Sequence, residues 1–98
     1  MAVSAAYLTK MRTAIRRYSA MSADLTAELT DSVEECRADL IRLGLPAEAV
    51  TVESDMNILD AMKRYVRWAF EPAESATKES LFETYRLKAD ELRRMDWT

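Results

Sequence analysis

The segment from Asp55 to Phe70 constrains the fold more than any other, because it reads DMNILDAMKRYVRWAF between two segments that interrupt a helix. On a helical period of about 3.6 residues, one broad arc of this segment is apolar. That arc comprises Ile58, Leu59, Ala61, Met62, Tyr65, Val66, Trp68, Ala69 and Phe70. Asp60, Lys63, Arg64 and Arg67 are left for water. A single neighbour cannot cover so wide an arc, so the sequence predicts the central helix of a small bundle.

The fold class follows from the scarcity of residues that break helices. Glycine occurs once and proline twice among 98 residues, so a fold with many tight turns is not expected. We predict an all-α fold, a bundle of four helices in a single domain over residues 1–98. The predicted helices span about residues 4–18, 23–43, 55–70 and 76–94, with one long loop between the second and third.

Residue types that begin and end helices stand at the predicted boundaries. Ser22 is a candidate N-cap for the second helix, as is either Ser54 or Asp55 for the central one. Gly44, the only glycine, stands where a residue in the left-handed region would end the second helix. The connection over residues 45–54 is the longest, and loops of this length are uncommon without a purpose, such as a partner contact.

Charge is distributed unevenly along the chain. The net charge of −3 combines +4 in residues 1–23 with −7 in the remainder. The four bases of the first segment are Lys10, Arg12, Arg16 and Arg17. They predict a basic face on the first helix, which either faces solvent or contacts a membrane, a nucleic acid or another protein.

The second helix carries an acidic row beside its apolar stripe. Glu28, Asp31, Glu35 and Asp39 follow one another at spacings of three and four residues. Like charges at this spacing cost a few tenths of a kcal/mol per pair in an isolated helix. The row is interpreted as a solvated face, a surface for a basic partner or, as a third alternative, a metal site. Cys36 lies within the apolar stripe, which favours a small buried side chain over a reactive thiol.

Most catalytic and metal-binding arrangements cannot be built from this composition. The chain has no histidine, one cysteine and one glycine, which removes the Ser-His-Asp arrangement, cysteine-rich zinc sites and glycine-rich phosphate loops. We therefore expect a protein that is not an enzyme and has no cofactor and no metal. With no secretory signal and no apolar run near the roughly 20 residues that cross a bilayer, we expect a soluble protein of a reducing cytosol.

Three large apolar side chains are further candidates for partner contacts. Trp68 widens the apolar arc of the central helix, and Leu87 points away from the core stripe of the last helix. Trp97 follows the last helix, where it either anchors a partner or folds back onto its own bundle.

Four segments occur in an informative order: MRTAIRRYS, ECRADLIRLGL, DMNILDAMKRYVRWAF and LFETYRLKADEL. In this order, over about residues 11 to 92, the chain resembles the head-tail connector family of tailed bacteriophages, whose members are often called DNA packaging proteins. The family shows a helix ending in Ala-Asp-Leu and Gly-Leu, then an acid-capped helix with a Tyr-Val-Arg-like centre, then a helix with a spaced Tyr and Lys. The corresponding positions are Ala38, Asp39, Leu40, Gly44, Leu45, Asp55, Ile58, Ala61, Tyr65, Val66, Arg67, Phe70, Tyr85 and Lys88.

The resemblance implies a structural role in the virion. Family members form a ring, typically dodecameric, that docks under the portal protein at the head vertex after DNA packaging. The ring extends the DNA channel and offers a surface to the tail-side connector or stopper protein. Such a protein would be found at the head-tail junction, and in the host cytoplasm during assembly, with no membrane partner. DNA would pass through the channel without sequence-specific binding.

The charge pattern is compatible with this role. A ring requires two different, complementary patches on each subunit, and the basic first helix and the acidic row could form such a pair. An acidic balance also suits a channel past which DNA slides, because DNA binding depends on phosphate neutralisation by Lys and Arg. The alternative is a small cytosolic helical regulator or DNA-binding module, supported by the basic cluster but without a visible helix-turn-helix.

Overall fold

The computed structural model describes residues 2–15 and 22–97, and every regular element within those ranges is an α-helix. The all-α fold class is therefore confirmed. In chain order the helices are α1 (Ala5–Ala14), α2 (Ala23–Arg42), α3 (Ala47–Val50), α4 (Met56–Ala69) and α5 (Lys78–Arg93).

The four long helices match the predicted ones, with two differences. α1 ends at Ala14 with Ile15 as its C-cap, so it is shorter than predicted, and the predicted end at Tyr18 lies outside the described residues. α5 begins at Lys78, two residues later than predicted. The delay has a local cause: the hydroxyls of Ser75 and Thr77 donate to the Glu71 carboxylate at 3.0 and 2.7 Å, which holds this stretch in a turn.

The connection between α2 and α4 is not a plain loop, because it contains the short helix α3. Its turn forms when the amides of Ala49 and Val50 donate to the carbonyl of Pro46, at 3.1 and 3.4 Å. Leu45 and Val50 are buried in the core on either side of this turn. A helix of four residues is too short to show an apolar period, so no pattern in the sequence predicted it.

The predicted signals at the ends of α2 and α4 are confirmed. The Ser22 side chain accepts the amide of Leu25 at 3.0 Å, and Asp55 accepts those of Asn57 and Ile58 at 2.8 and 3.0 Å. Between the two candidates for the second cap, Asp55 therefore fills the position.

Gly44 ends α2 with a positive φ of 114°. The amide of Gly44 donates to the carbonyl of Ile41, and the amide of Leu45 donates to that of Leu40, the two hydrogen bonds of a Schellman motif. Leu40 and Leu45 are both buried, which supplies the apolar contact that usually accompanies this motif.

α4 is the central helix, as predicted, and packs against α1, α2 and α5. Its buried residues are Ile58, Leu59, Ala61, Met62 and Val66. The remaining large members of the predicted arc, Tyr65, Trp68 and Phe70, are only half-buried. The apolar arc of α4 is therefore wider than the core it helps to form, and its C-terminal half reaches the surface.

Candidate functional site

Four aromatic side chains of α4 and α5, Tyr65, Trp68, Phe82 and Tyr85, pack together on one side of the bundle and are called here the aromatic cluster. The ring centroid of Tyr65 lies 5.0 Å from that of Tyr85 and 5.4 Å from that of Trp68, and both pairs of rings meet edge to face. Trp68 and Phe82 are 4.8 Å apart. Aromatic quadrupoles favour such offset and edge-to-face contacts. Tyr85 is buried, whereas the other three rings are half-buried and remain accessible.

A groove of about 530 Å³ opens over the aromatic cluster, where α2 faces α4 and α5. We call it the aromatic groove. Besides the four rings, its lining includes Asp39, Arg42 and Leu43 of α2 and Arg86, Ala89 and Asp90 of α5. Its volume lies in the range of about 300–1,000 Å³ that is typical of binding pockets. The predicted contact residue Trp68 thus belongs to a recess with charged edges.

A polar link between α5 and α2, buried at Tyr85 and exposed at Arg42, lines the aromatic groove. The hydroxyl of Tyr85 donates to Asp39 Oδ2 at 2.6 Å, and Arg42 Nη2 donates to Asp39 Oδ1 at 2.6 Å. Burial, followed by the charges of Cys36 and Asp39, raises the pKa of Tyr85 above its ordinary value of 10.0. The tyrosine is therefore a permanent donor that ties α5 to α2.

The link gives one member of the acidic row partners within its own chain. Asp39 accepts hydrogen bonds from Tyr85 and Arg42 and is partly buried, so it differs in surroundings from the rest of the row. The other three members, Glu28, Asp31 and Glu35, are exposed and form no hydrogen bond or ion pair with the described residues. They remain candidates for a partner surface.

The basic candidates lie mostly beyond what the structure describes. Arg16 and Arg17 are outside the described residues, while Arg12 on α1 is half-buried. Lys10 is exposed. The predicted pairing of a basic first helix with the acidic row thus stays a prediction.

α1 is held to the rest of the bundle by polar contacts at both ends. At its start, the amide and hydroxyl of Ser4 both donate to Glu53, which also lies 3.7 Å from the buried Arg37. At its end, Arg67 Nε donates to the carbonyl of Ala14 at 3.3 Å. Burial alone would raise the pKa of Glu53, but the Ser4 hydrogen bonds and nearby cations lower it below its ordinary 4.5.

The structure decides the positions of the other two candidate contacts. Trp97 folds back onto the bundle: its Nε1 donates to the carbonyl of Leu92 at 2.8 Å, and its ring packs against the core. Of the two alternatives for Trp97, the structure has the folded-back one. Leu87 is 68% exposed, in agreement with the prediction that it points away from the core.

Cys36 is buried, as its place in the apolar stripe predicted. Its Sγ lies 4.0 Å from the hydroxyl of Tyr85, and burial raises the pKa of the thiol to about 12. A thiol in this state is protonated at neutral pH and is a poor nucleophile.

Sequence reasoning missed the aromatic groove although it identified the rings. Phe82 and Tyr85 have the three-residue spacing that is typical of the core face of a helix, and this spacing does not distinguish a core ring from one at the mouth of a groove. The rim cations Arg42 and Arg86 also escaped notice. Arg42 could have been found as the i+3 neighbour of Asp39, whereas Arg86 gives no local signal.

Two further observations concern metal and membrane. Among residues 2–15 and 22–97, no three Cys, Asp or Glu side chains are grouped so as to hold a metal ion. None of the described helices is both long and apolar enough to span a bilayer.

Comparison of the chain with protein-family models, curated proteins and solved structures finds no match.

Proposed function

We propose that this chain is a head-tail connector of a tailed bacteriophage, a structural protein that assembles as a ring beneath the portal protein. In this role it extends the DNA channel and presents a surface to the tail-side connector or stopper protein. The proposal combines the order of helical segments in the sequence with one structural observation, the open aromatic groove.

The aromatic groove supports an assembly role because it exposes side chains that proteins use for protein contacts. Tyr, Trp and Arg are enriched where binding energy is concentrated, and Tyr65, Trp68 and Arg42 all line this recess. Their aromatic surface is only half covered by the described part of the chain. A partner that covered it would remove this apolar area from water, which favours association.

The charge of the protein supports passage of DNA. Seventeen acids against fourteen bases give the chain a net charge of −3. Duplex DNA is bound chiefly by neutralising its phosphates, so an acidic ring would let DNA slide without holding it.

Mass measurement and electron microscopy test the proposal together. We expect the purified chain to pass, as its concentration rises, from the 11.2 kDa subunit to a ring of uniform mass with an open centre. We expect no shift of duplex DNA in a gel at physiological salt. Genes for portal, capsid and tail proteins on either side of this gene would be independent support.

The regulator alternative makes the opposite forecast in the same experiments. A small DNA-binding module would stay a monomer or dimer and would shift duplex DNA at micromolar or lower concentration, the range below typical non-specific binding. Either result, a chain that never exceeds a dimer or one that binds duplex DNA this tightly, would contradict the connector proposal.

A further inference from the structure

The outer face of α2 carries a second surface that nothing in the described part of the chain covers. Its residues recur at spacings of four, three, four and three, which places them in one line along the helix. They are Ala27, Asp31, Glu34, Ala38 and Ile41, and all five are exposed. We call this line the α2 outer stripe. Its N-terminal half is acidic, and its C-terminal half is apolar, with Ile41 41% exposed.

The aromatic groove offers the complementary charge. Its two acids are already engaged, Asp39 by Arg42 at 2.6 Å and Asp90 by Arg93 at 3.5 Å. Arg86, on the rim, is exposed and forms no ion pair with any described residue. Among the charged residues that line the groove, Arg86 is therefore the one without an ion pair in the described ranges, and Asp31 and Glu34 of the stripe are acids without one there.

We propose that the α2 outer stripe of a second copy of this chain docks in the aromatic groove. Ala38 and Ile41 of the incoming helix cover the exposed rings, and its acids approach Arg86. At about 530 Å³ the groove holds the side chains of a helical turn but not a helix of about 10–12 Å diameter. It can therefore receive side chains from the exposed face of a helix in a folded partner, and the α2 outer stripe is such a face.

The two surfaces lie on different sides of the same helix. α2 lines the aromatic groove with Asp39, Arg42 and Leu43, whereas the α2 outer stripe faces solvent. A contact of stripe with groove is therefore heterologous, and each subunit keeps a free stripe and a free groove for further copies. Heterologous contacts form rings when the rotation closes. This interface rests on the proposed ring function and assigns the residues that build the ring.

Two variants, each blocking one surface, test the interface. Arg86→Glu reverses the rim charge of the groove, and Ile41→Glu places a carboxylate in the apolar half of the stripe. Both residues are exposed, so the helical circular dichroism and thermal midpoint should match those of the parent. Each variant alone should self-associate at least about tenfold more weakly than the parent. In Ile41→Glu the contact would desolvate the new carboxylate, and in Arg86→Glu the new carboxylate would repel the acids of the stripe.

The decisive measurement is the mass of an equimolar mixture of the two variants. The Arg86→Glu chain retains an intact stripe, and the Ile41→Glu chain retains an intact groove, so one productive contact remains. We expect a 1:1 dimer, twice the 11.2 kDa subunit mass, that grows no further. A mixture that stays monomeric, or either variant assembling as well as the parent, would overturn the interface.

Control variants separate this interface from other pairings and from the proposed function. Met56→Glu adds the same charge to another exposed apolar position, outside both surfaces, and should assemble as the parent does. The variant with both Arg16→Glu and Arg17→Glu should also assemble. If this variant failed to assemble while Arg86→Glu and Ile41→Glu assembled, the contact would belong to the basic N-terminal segment. If the parent chain never self-associates, the proposed ring function is wrong. If the parent assembles and the Arg86→Glu and Ile41→Glu variants assemble equally well, only the proposed interface is wrong.

Discussion

The hydroxyl of Tyr85 donates a 2.6 Å hydrogen bond to the carboxylate of Asp39, which joins the last helix to the second within the aromatic groove. The two residues are 46 positions apart, and the bond brings together an acid from the edge of α2 and a buried ring from α5. The same contact holds Tyr85 in its edge-to-face packing with Tyr65. The shape of the candidate site therefore depends on a bond that no local pattern specifies.

Removal of this hydroxyl tests its contribution to stability. Tyr85→Phe should lower the free energy of unfolding by about 1–2 kcal/mol, since hydrogen bonds to charged groups contribute more than neutral ones and Asp39 is partly solvated. Tyr65→Phe is the matched control, because the Tyr65 hydroxyl has no hydrogen bond among the described residues. Urea unfolding measures both variants. Equal losses would show that the Tyr85–Asp39 bond adds nothing in solution.

Gly44 allows a prediction about backbone conformation alone. An added Cβ would meet nothing within 4 Å, so Gly44→Ala introduces no clash, yet φ of 114° is unfavourable for alanine. We expect a loss of about 1–2 kcal/mol in the free energy of unfolding. Gly44→Asn should lose less, because asparagine tolerates positive φ better. If alanine were as stable as glycine in thermal unfolding, the end of α2 would have a different conformation.

Two methionines of α4 form a matched pair for the central-helix assignment. Met62 is completely buried, whereas Met56 is 73% exposed. Met62→Ala should cost about 2–5 kcal/mol through lost apolar burial and a residual cavity. Met56→Ala should change stability by less than about 0.5 kcal/mol. Chemical denaturation of the two variants decides this, and similar costs would mean that α4 presents another face to the core.

The Glu53 anchor of α1 predicts a dependence of stability on acid. Its pKa in the folded protein is below the ordinary 4.5, so its ionised form stabilises the fold above that value. This contribution is lost as the pH falls from about 4.5 through the lower folded-state pKa, because the folded carboxylate must then bind a proton.

Glu53→Gln should therefore be less stable than the parent near neutral pH and should lose less stability on acidification. Thermal midpoints measured from about pH 6 to about pH 3 give both curves. Parallel curves for parent and variant would show that Glu53 has the same pKa in the folded and unfolded chain.

The sequence by itself determined the four long helices, though not the short α3, and local physics explains why. The caps at Ser22 and Asp55 and the turn at Gly44 act through hydrogen bonds over two to five residues, so the residue types at those positions suffice to place the ends of α2 and the start of α4. The apolar spacing of Asp55 to Phe70 was likewise enough to identify the central helix.

Only the tertiary structure decided which of these side chains are free. The sequence placed Asp39 in a row of acids, but only the fold shows that Tyr85 donates a hydrogen bond to it. The sequence left the position of Trp97 open, and only the fold shows that its ring nitrogen donates to the carbonyl of Leu92. The accessibility of Trp68 and Phe82 also depends on how α2 crosses α4 and α5. Contacts between distant segments follow from the volumes and angles at which helices pack, which spacing along one helix does not encode.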